Sequence, residues 1–291
     1  MASAVQPPGV QRPAPRSQVG VLASLLGLAA LAWLLTHERM LGMDAGPGTD
    51  LGGFGFYVVS WVVMMSAMMF PSIAPMVLTF GFVQRRRRDR GSIERTVSSW
   101  VFVLGYLLTW TVFGLLAYGL YFGVRSLSIP ALSWHRGGRY LAGGVLLAAA
   151  IYQLTPTKDA CLRRCRAPLD FVLGHWRDGP FGALRMGAVH GAWCVGCCWG
   201  LMAALFALGV MSLTWMIVIA ALIAAEKLVP WREPANRLVA LTLLALALGV
   251  SLAPHDVPGL TLPDSHTAAK AQSTMSGAPR ADPAHEGMPM K

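Results

Sequence analysis

Charge is scarce in this sequence. Asp, Glu, Lys and Arg make up only 13% of its 291 residues, where an ordinary soluble domain carries roughly 25%. With 55% hydrophobic residues and a mean hydropathy of +0.52, the shortage points away from a water-solvated globule and towards a bilayer as solvent. A disulfide framework is also missing. The five cysteines are an odd number, and three of them lie inside an apolar run, which suits reduced thiols or metal ligands instead. There is no Walker A loop, no dinucleotide fingerprint following a strand and no HExxH. That speaks against ATP-driven pumping by this chain alone and for a binding protein over an enzyme, a choice the sequence leaves open. The net charge of +10 is not a nucleic-acid footprint, because no basic stripe alternates with the aromatic residues that single-strand binding needs.

What is present is a series of apolar runs of about the length that spans a hydrocarbon core. Seven are read, at 19–36, 54–83, 97–124, 139–155, 184–209, 212–229 and 236–253; the fourth and sixth are short. The expectation is an all-α polytopic transmembrane helix bundle over 19–253. A disordered cytoplasmic tail (1–18) precedes it, and a flexible extracytoplasmic tail (254–291) follows. The first run comes after Arg12 and Arg16, is long for a signal-peptide core and has no small-x-small cleavage site after it, so it reads as a retained helix. Basic residues sort by side. With the N-terminus inside, 17 of the 24 Lys and Arg residues fall in the N-tail, the Arg85–Arg95 and Lys158–Arg185 segments and the Lys227–Arg237 segment. That asymmetry favours N-in and C-out, in the cell's inner (plasma) membrane. Pro71 and Pro75 interrupt the second run, where a kink or break is expected because proline removes a helix hydrogen bond.

The chemistry concentrates in the stretch from Met186 to Met202. At about 100° per residue, His190, Cys194, Cys197 and Cys198 fall within an arc of about 100° over two turns. One imidazole and three thiols therefore share a face. An intramembrane His normally faces a partner or a cavity, and thiolate with imidazole is a ligand set for zinc or Cu(I). Cysteine also packs as a small apolar residue, so the weight lies in four potential ligands on one strip. Gly187/Gly191 and Gly196/Gly200 are two GxxxG pairs that let helices approach closely.

The second run carries Met64, Met65, Met68 and Met69. Met64 and Met68 lie one turn apart, with Met65 and Met69 in the adjacent row. Methionine is a routine filler of cores. Beside a His/Cys helix, however, thioethers favour Cu(I) over zinc. The predicted metal site is therefore His190, Cys194, Cys197, Cys198, Met64 and Met68, with Met65, Met69, Glu226, Cys161 and Cys165 as accessory candidates. Glu226 and Lys227 end the sixth run; Lys227 can snorkel, and Glu226 is a ligand, a proton carrier or the partner of Lys227. Cys161 and Cys165 stack on one helical face among arginines that favour thiolate. The C-terminal tail spaces out His255, His266, Met275, His285, Met288 and Met290, a composition suited to loose copper capture or to a plain spacer.

Three motifs resemble a bacterial family of predicted metal-binding integral membrane proteins, some of which are described as copper chaperones. They are the run from Trp61 through the methionines and prolines to Met76, the run from Tyr152 through Cys161 to Cys165, and the run from His190 through Trp199 on to Glu226-Lys227. The resemblance covers about residues 54–230 and implies a membrane metal protein without fixing a direction of transport. The leading expectation is a protein that binds, relays or delivers Cu(I), with the bilayer and a copper-requiring membrane or periplasmic protein as partners. The alternatives are a membrane thiol–disulfide redox protein, with Cys194 and Cys198 the better-spaced pair, and a structural or assembly subunit whose motifs only pack helices.

Overall fold

A computed structural model describes residues 15–91, 97–127 and 133–276. The expectations for residues 1–14 and for His285, Met288 and Met290 lie outside the described residues. All regular structure described is helical. In chain order the helices are α1 (Pro15–Met40), α2 (Phe54–Asp89), α3 (Ser99–Ser126), α4 (Arg139–Gln153), α5 (Pro156–Cys165), α6 (Pro168–Gly174), α7 (Gly179–Leu208), α8 (Leu213–Leu228), α9 (Arg232–Leu252) and α10 (His266–Ser276). A π-helical turn, Trp134–Gly138, leads into α4.

Among the described residues, five helices are long and apolar enough to cross a membrane: Gln18–Met40 within α1, and the whole of α2, α3, α7 and α9. The short runs at 139–155 and 212–229 form α4 and α8, of 15 and 16 residues. At about 1.5 Å per residue these reach about 22–24 Å, less than the hydrocarbon thickness of about 30 Å. Each packs one face against the bundle, α4 on α7 and α9 and α8 on α2 and α7, and leaves apolar side chains such as Ile151 and Ile217 exposed on the other.

α2 continues unbroken through Pro71 and Pro75 over 36 residues, so of the kink or break expected there, a break is absent. Hydroxyls gather there: Ser72 Oγ donates to the Met69 carbonyl and Thr79 Oγ1 to the Pro75 carbonyl, each at 2.8 Å. Such back-bonding satisfies a side chain without leaving the helix.

The core is organised around α7, which packs on α3, α4, α5 and α8. α3 and α7 meet backbone to backbone. A Cβ on Gly105 would overlap the Leu184 carbonyl, and one on Gly187 would overlap the Phe102 carbonyl. Gly191 continues the seam, its Cβ position 2.9 Å from the Thr109 Cβ. The first GxxxG pair therefore faces α3, with Thr109 Oγ1 donating to the Ala188 carbonyl across the seam at 3.1 Å. The second faces α4 and α5: a Cβ on Gly196 would lie 2.8 Å from the Cys161 sulfur, and Gly200 abuts Tyr152 and Ala149.

Between α4 and α7 the chain turns at Thr155. Its side chain accepts from the Lys158 N–H at 3.3 Å, and Pro156 takes the first helical turn, where a missing N–H costs nothing. This cap starts α5, a polar helix lying against α7. After α9, a 3₁₀ turn (Pro254–Asp256) and α10 follow, and Thr261 Oγ1 donates to Asp44 at 3.0 Å.

Candidate metal centre

His190, Cys194, Cys197 and Cys198 are all buried on the inner face of α7. A fourth sulfur joins them from α5. The ligand atoms of Cys165, Cys194 and Cys197 lie within 4.8 Å of one another. Cys197 Sγ is 3.7 Å from Cys165 Sγ and 3.3 Å from Cys198 Sγ. All five cysteines are free thiols. Two helices thus converge on one patch of sulfur, and Cys165, the member from outside α7, is the partly exposed one.

Cys194 sits at the centre of the polar contacts. Lys227 Nζ, from α8, donates to its sulfur at 3.0 Å and to Ser72 Oγ of α2 at 3.3 Å. The Tyr106 hydroxyl of α3 lies 3.1 Å from the same sulfur, and Cys197 Sγ donates to the Cys194 carbonyl at 3.2 Å. Lys227 therefore turns inward to the thiols and does not snorkel to an interface. A cation against thiols in an apolar core favours the thiolate that a soft metal needs.

Glu226 also differs from its expected partner. It pairs with Lys158 of α5, Nζ to Oε1 at 2.5 Å, both side chains being almost completely buried. Lys158 also donates to Gln153. Successive residues of α8 are rotated by about 100°, which sends Glu226 to one side of the cluster and Lys227 to the other.

His190 lies one turn before Cys194, its ring among Phe102, Tyr106 and Phe171 at centroid distances of 5.3–6.1 Å. Its Nδ1 is buried and makes no hydrogen bond. A buried polar atom without a partner carries a desolvation penalty of about 1–3 kcal/mol, so this nitrogen is a donor held free. Met64, Met65, Met68 and Met69 are all buried in the same core. α2 meets Lys227, which contacts the Cys194 sulfur, through Ser72, about one turn beyond Met68 and Met69.

Cys161 turns towards Gly196, away from the sulfur triad that Cys165 joins. Its thiol is pushed up by burial, with the Arg164 guanidinium pulling the other way. Burial outweighs the neighbouring arginine, against the sequence expectation of a thiolate. Cys165 is raised well above the usual thiol range, first by its hydrogen bond with Cys194 and further by burial.

Sequence reasoning left Cys165 among the accessory residues and did not find Lys227 or Tyr106 as neighbours of the thiols, or Ser72 as a partner of Lys227. The signal for Cys165 was its four-residue spacing from Cys161; no spacing relates α3, α5 and α8 to α7. A cluster of thiols and a cation enclosed by apolar helices marks a helical protein able to hold a soft metal. The chain belongs to the PpoB2 family, a copper chaperone family whose model matches residues 58–250. The matched stretch holds the methionine rows, all five cysteines, His190 and the Glu226-Lys227 pair. No curated protein and no solved structure shows a significant similarity to the chain.

Proposed function

We propose that this protein carries Cu(I) as cargo, held first by Cys165, Cys194 and Cys197, and passes it to a copper-requiring membrane or periplasmic protein. The sulfur triad is the observation that carries this reading. Thiolates select soft ions, and two or three of them satisfy Cu(I). Structural zinc sites close with four ligands, whereas three sulfurs lie in mutual reach here. The Lys227 ammonium, against the Cys194 sulfur, offsets one thiolate charge at the site. Neutrality matters where the cost of a buried net charge is steep. Cys198, beside Cys197, and His190, one turn away with its free Nδ1, extend the donor set along α7. Met64 and Met68 are proposed thioether ligands along the copper path, with Met65 and Met69 beside them.

The protein is further proposed to lie in the bacterial inner membrane, N-terminus inside, with α4 and α8 completing seven membrane-embedded segments. The excess of Lys and Arg in alternate loops supports that orientation. Reporter fusions after Met40, Arg90 and Ala253 check it: the first and third should report outside and the second inside.

Purified protein should bind Cu(I) stoichiometrically in competition with a chromophoric chelator. Cys194→Ser with Cys197→Ser should abolish the tight site, and unchanged binding would sink the proposal. A redox reading has one supporting observation, the 3.7 Å approach of the Cys165 and Cys197 sulfurs across two helices. Trapping a Cys165–Cys197 disulfide in growing cells would favour it.

A further inference from the structure

We infer that Lys158, Glu226 and Arg166 are positioning residues that hold α5 so that Cys165 reaches the thiols of α7. The inference rests on the reading of Cys165 as a copper ligand.

α5 has little apolar surface with which to dock. Its ten residues contain one large aliphatic side chain, Leu162. What fixes it is polar. The Lys158 ammonium meets the Glu226 carboxylate at 2.5 Å with both side chains out of solvent, and Lys158 also bonds Gln153 at the end of α4. At the other end of α5, Arg166 donates to the Glu226 carbonyl at 3.0 Å and to the Val229 carbonyl at 2.6 Å. Those carbonyls end α8, where backbone acceptors lack helix partners. The two attachments bracket α5, and Cys165 is the residue next to Arg166.

A buried ion pair is a poor source of stability, since desolvating two charges offsets most of their attraction. An apolar pair of similar volume would hold α5 near α8 at no greater cost. It would not fix direction and register as a bonded ammonium and carboxylate do. Register is what the site requires, because α5 contributes one sulfur and a turn of slippage would carry it away from Cys197. Glu226 and Lys227 then act as a unit: adjacent residues of α8 secure Cys165 through α5 and contact Cys194 directly.

The test uses the full chain in nanodiscs, loaded with Cu(I). Three quantities are read: the number of sulfurs around copper by X-ray absorption, Cu(I) affinity by chelator competition, and thermal stability. Cys165→Ser sets the reference, with one sulfur fewer and an affinity drop of about tenfold or more. Lys158→Met with Glu226→Leu is expected to reproduce both losses while stability holds or rises. Added to Cys165→Ser, the same pair should cost no further affinity. The exchanged pair, Lys158→Glu with Glu226→Lys, should recover part of the loss. A Lys158→Met/Glu226→Leu protein that keeps its sulfur count and affinity, beside a Cys165→Ser protein that loses them, overturns the inference and leaves the copper reading standing. Unchanged copper binding in Cys165→Ser removes Cys165 from the ligand set and the inference with it. Should the apolar pair not fold, Arg166→Gln decides: a lowered sulfur count and faster maleimide labelling of Cys165 support the inference, and wild-type values overturn it.

Discussion

At the scale of single residues, Lys227 has the clearest consequence. Its ammonium stands 3.0 Å from the Cys194 sulfur, and hydrogen bonds involving charged groups contribute about 1.5–3 kcal/mol. Lys227→Met keeps the length of the side chain and removes the charge. Cu(I) affinity should fall about tenfold or more, since each 1.4 kcal/mol is about a factor of ten; chelator competition measures it. The thiols also set a pH dependence. The Cys165 thiol is raised well above its usual range, so at neutral pH it carries a proton that copper must displace. Metal affinity rises as such protons are removed, and Cu(I) binding should strengthen from about pH 6 to about pH 8. The methionines give a sharper contrast. Met64→Leu and Met68→Leu nearly conserve volume and should cost less than about 1.5 kcal/mol of stability. A fall in Cu(I) affinity without a matching loss of stability is therefore the expected mark of thioether ligation.

At the scale of helices, the α3–α7 seam places the site. Gly105 and Gly187 let the two backbones touch, and that approach brings Tyr106 to Cys194. Gly187→Val would force a side chain into the Phe102 carbonyl. Overpacking costs about 1–3 kcal/mol and occasionally more, and thermal unfolding in detergent should show it, with copper binding weakened at the same time. Gly196→Ala should act locally, pressing on Cys161 with a smaller loss. The glycine spacing was legible in the sequence as a close-packing device, but not its two destinations, α3 for one pair and α4 with α5 for the other. Small residues say how near a neighbour comes and nothing about which neighbour it is. The strip of His190, Cys194, Cys197 and Cys198 was legible for the same reason the partners were not. Helical periodicity relates residues along one helix, whereas Cys165, Lys227, Tyr106 and Ser72 arrive from four others. Of the kink or break read at Pro71 and Pro75, the break is absent: α2 runs through both prolines as one helix.

At the scale of the whole molecule, five helices among the described residues are long and apolar enough to span, and the buried core holds sulfur and a few charges. The protein should stay with the membrane through alkaline carbonate washing and be released by detergent. Unfolded, it should titrate as five free thiols. Loaded with Cu(I) in the native state, it should lose the reactivity of Cys165, Cys194 and Cys197 together, read as alkylated positions by mass spectrometry.

Composition and period alone determined that the chain is helical, that a bilayer suits it better than water, and that imidazole and thiols line one face of α7. Scarcity of charge and a 3.6-residue repeat are properties of the chain itself. Only the tertiary structure decided that Cys165 joins that face, that Lys227 points at Cys194 and that Glu226 belongs to Lys158. Those contacts join residues 32 to 68 positions apart, and their pairing is chosen by how close-packed helices fit, which no local spacing encodes.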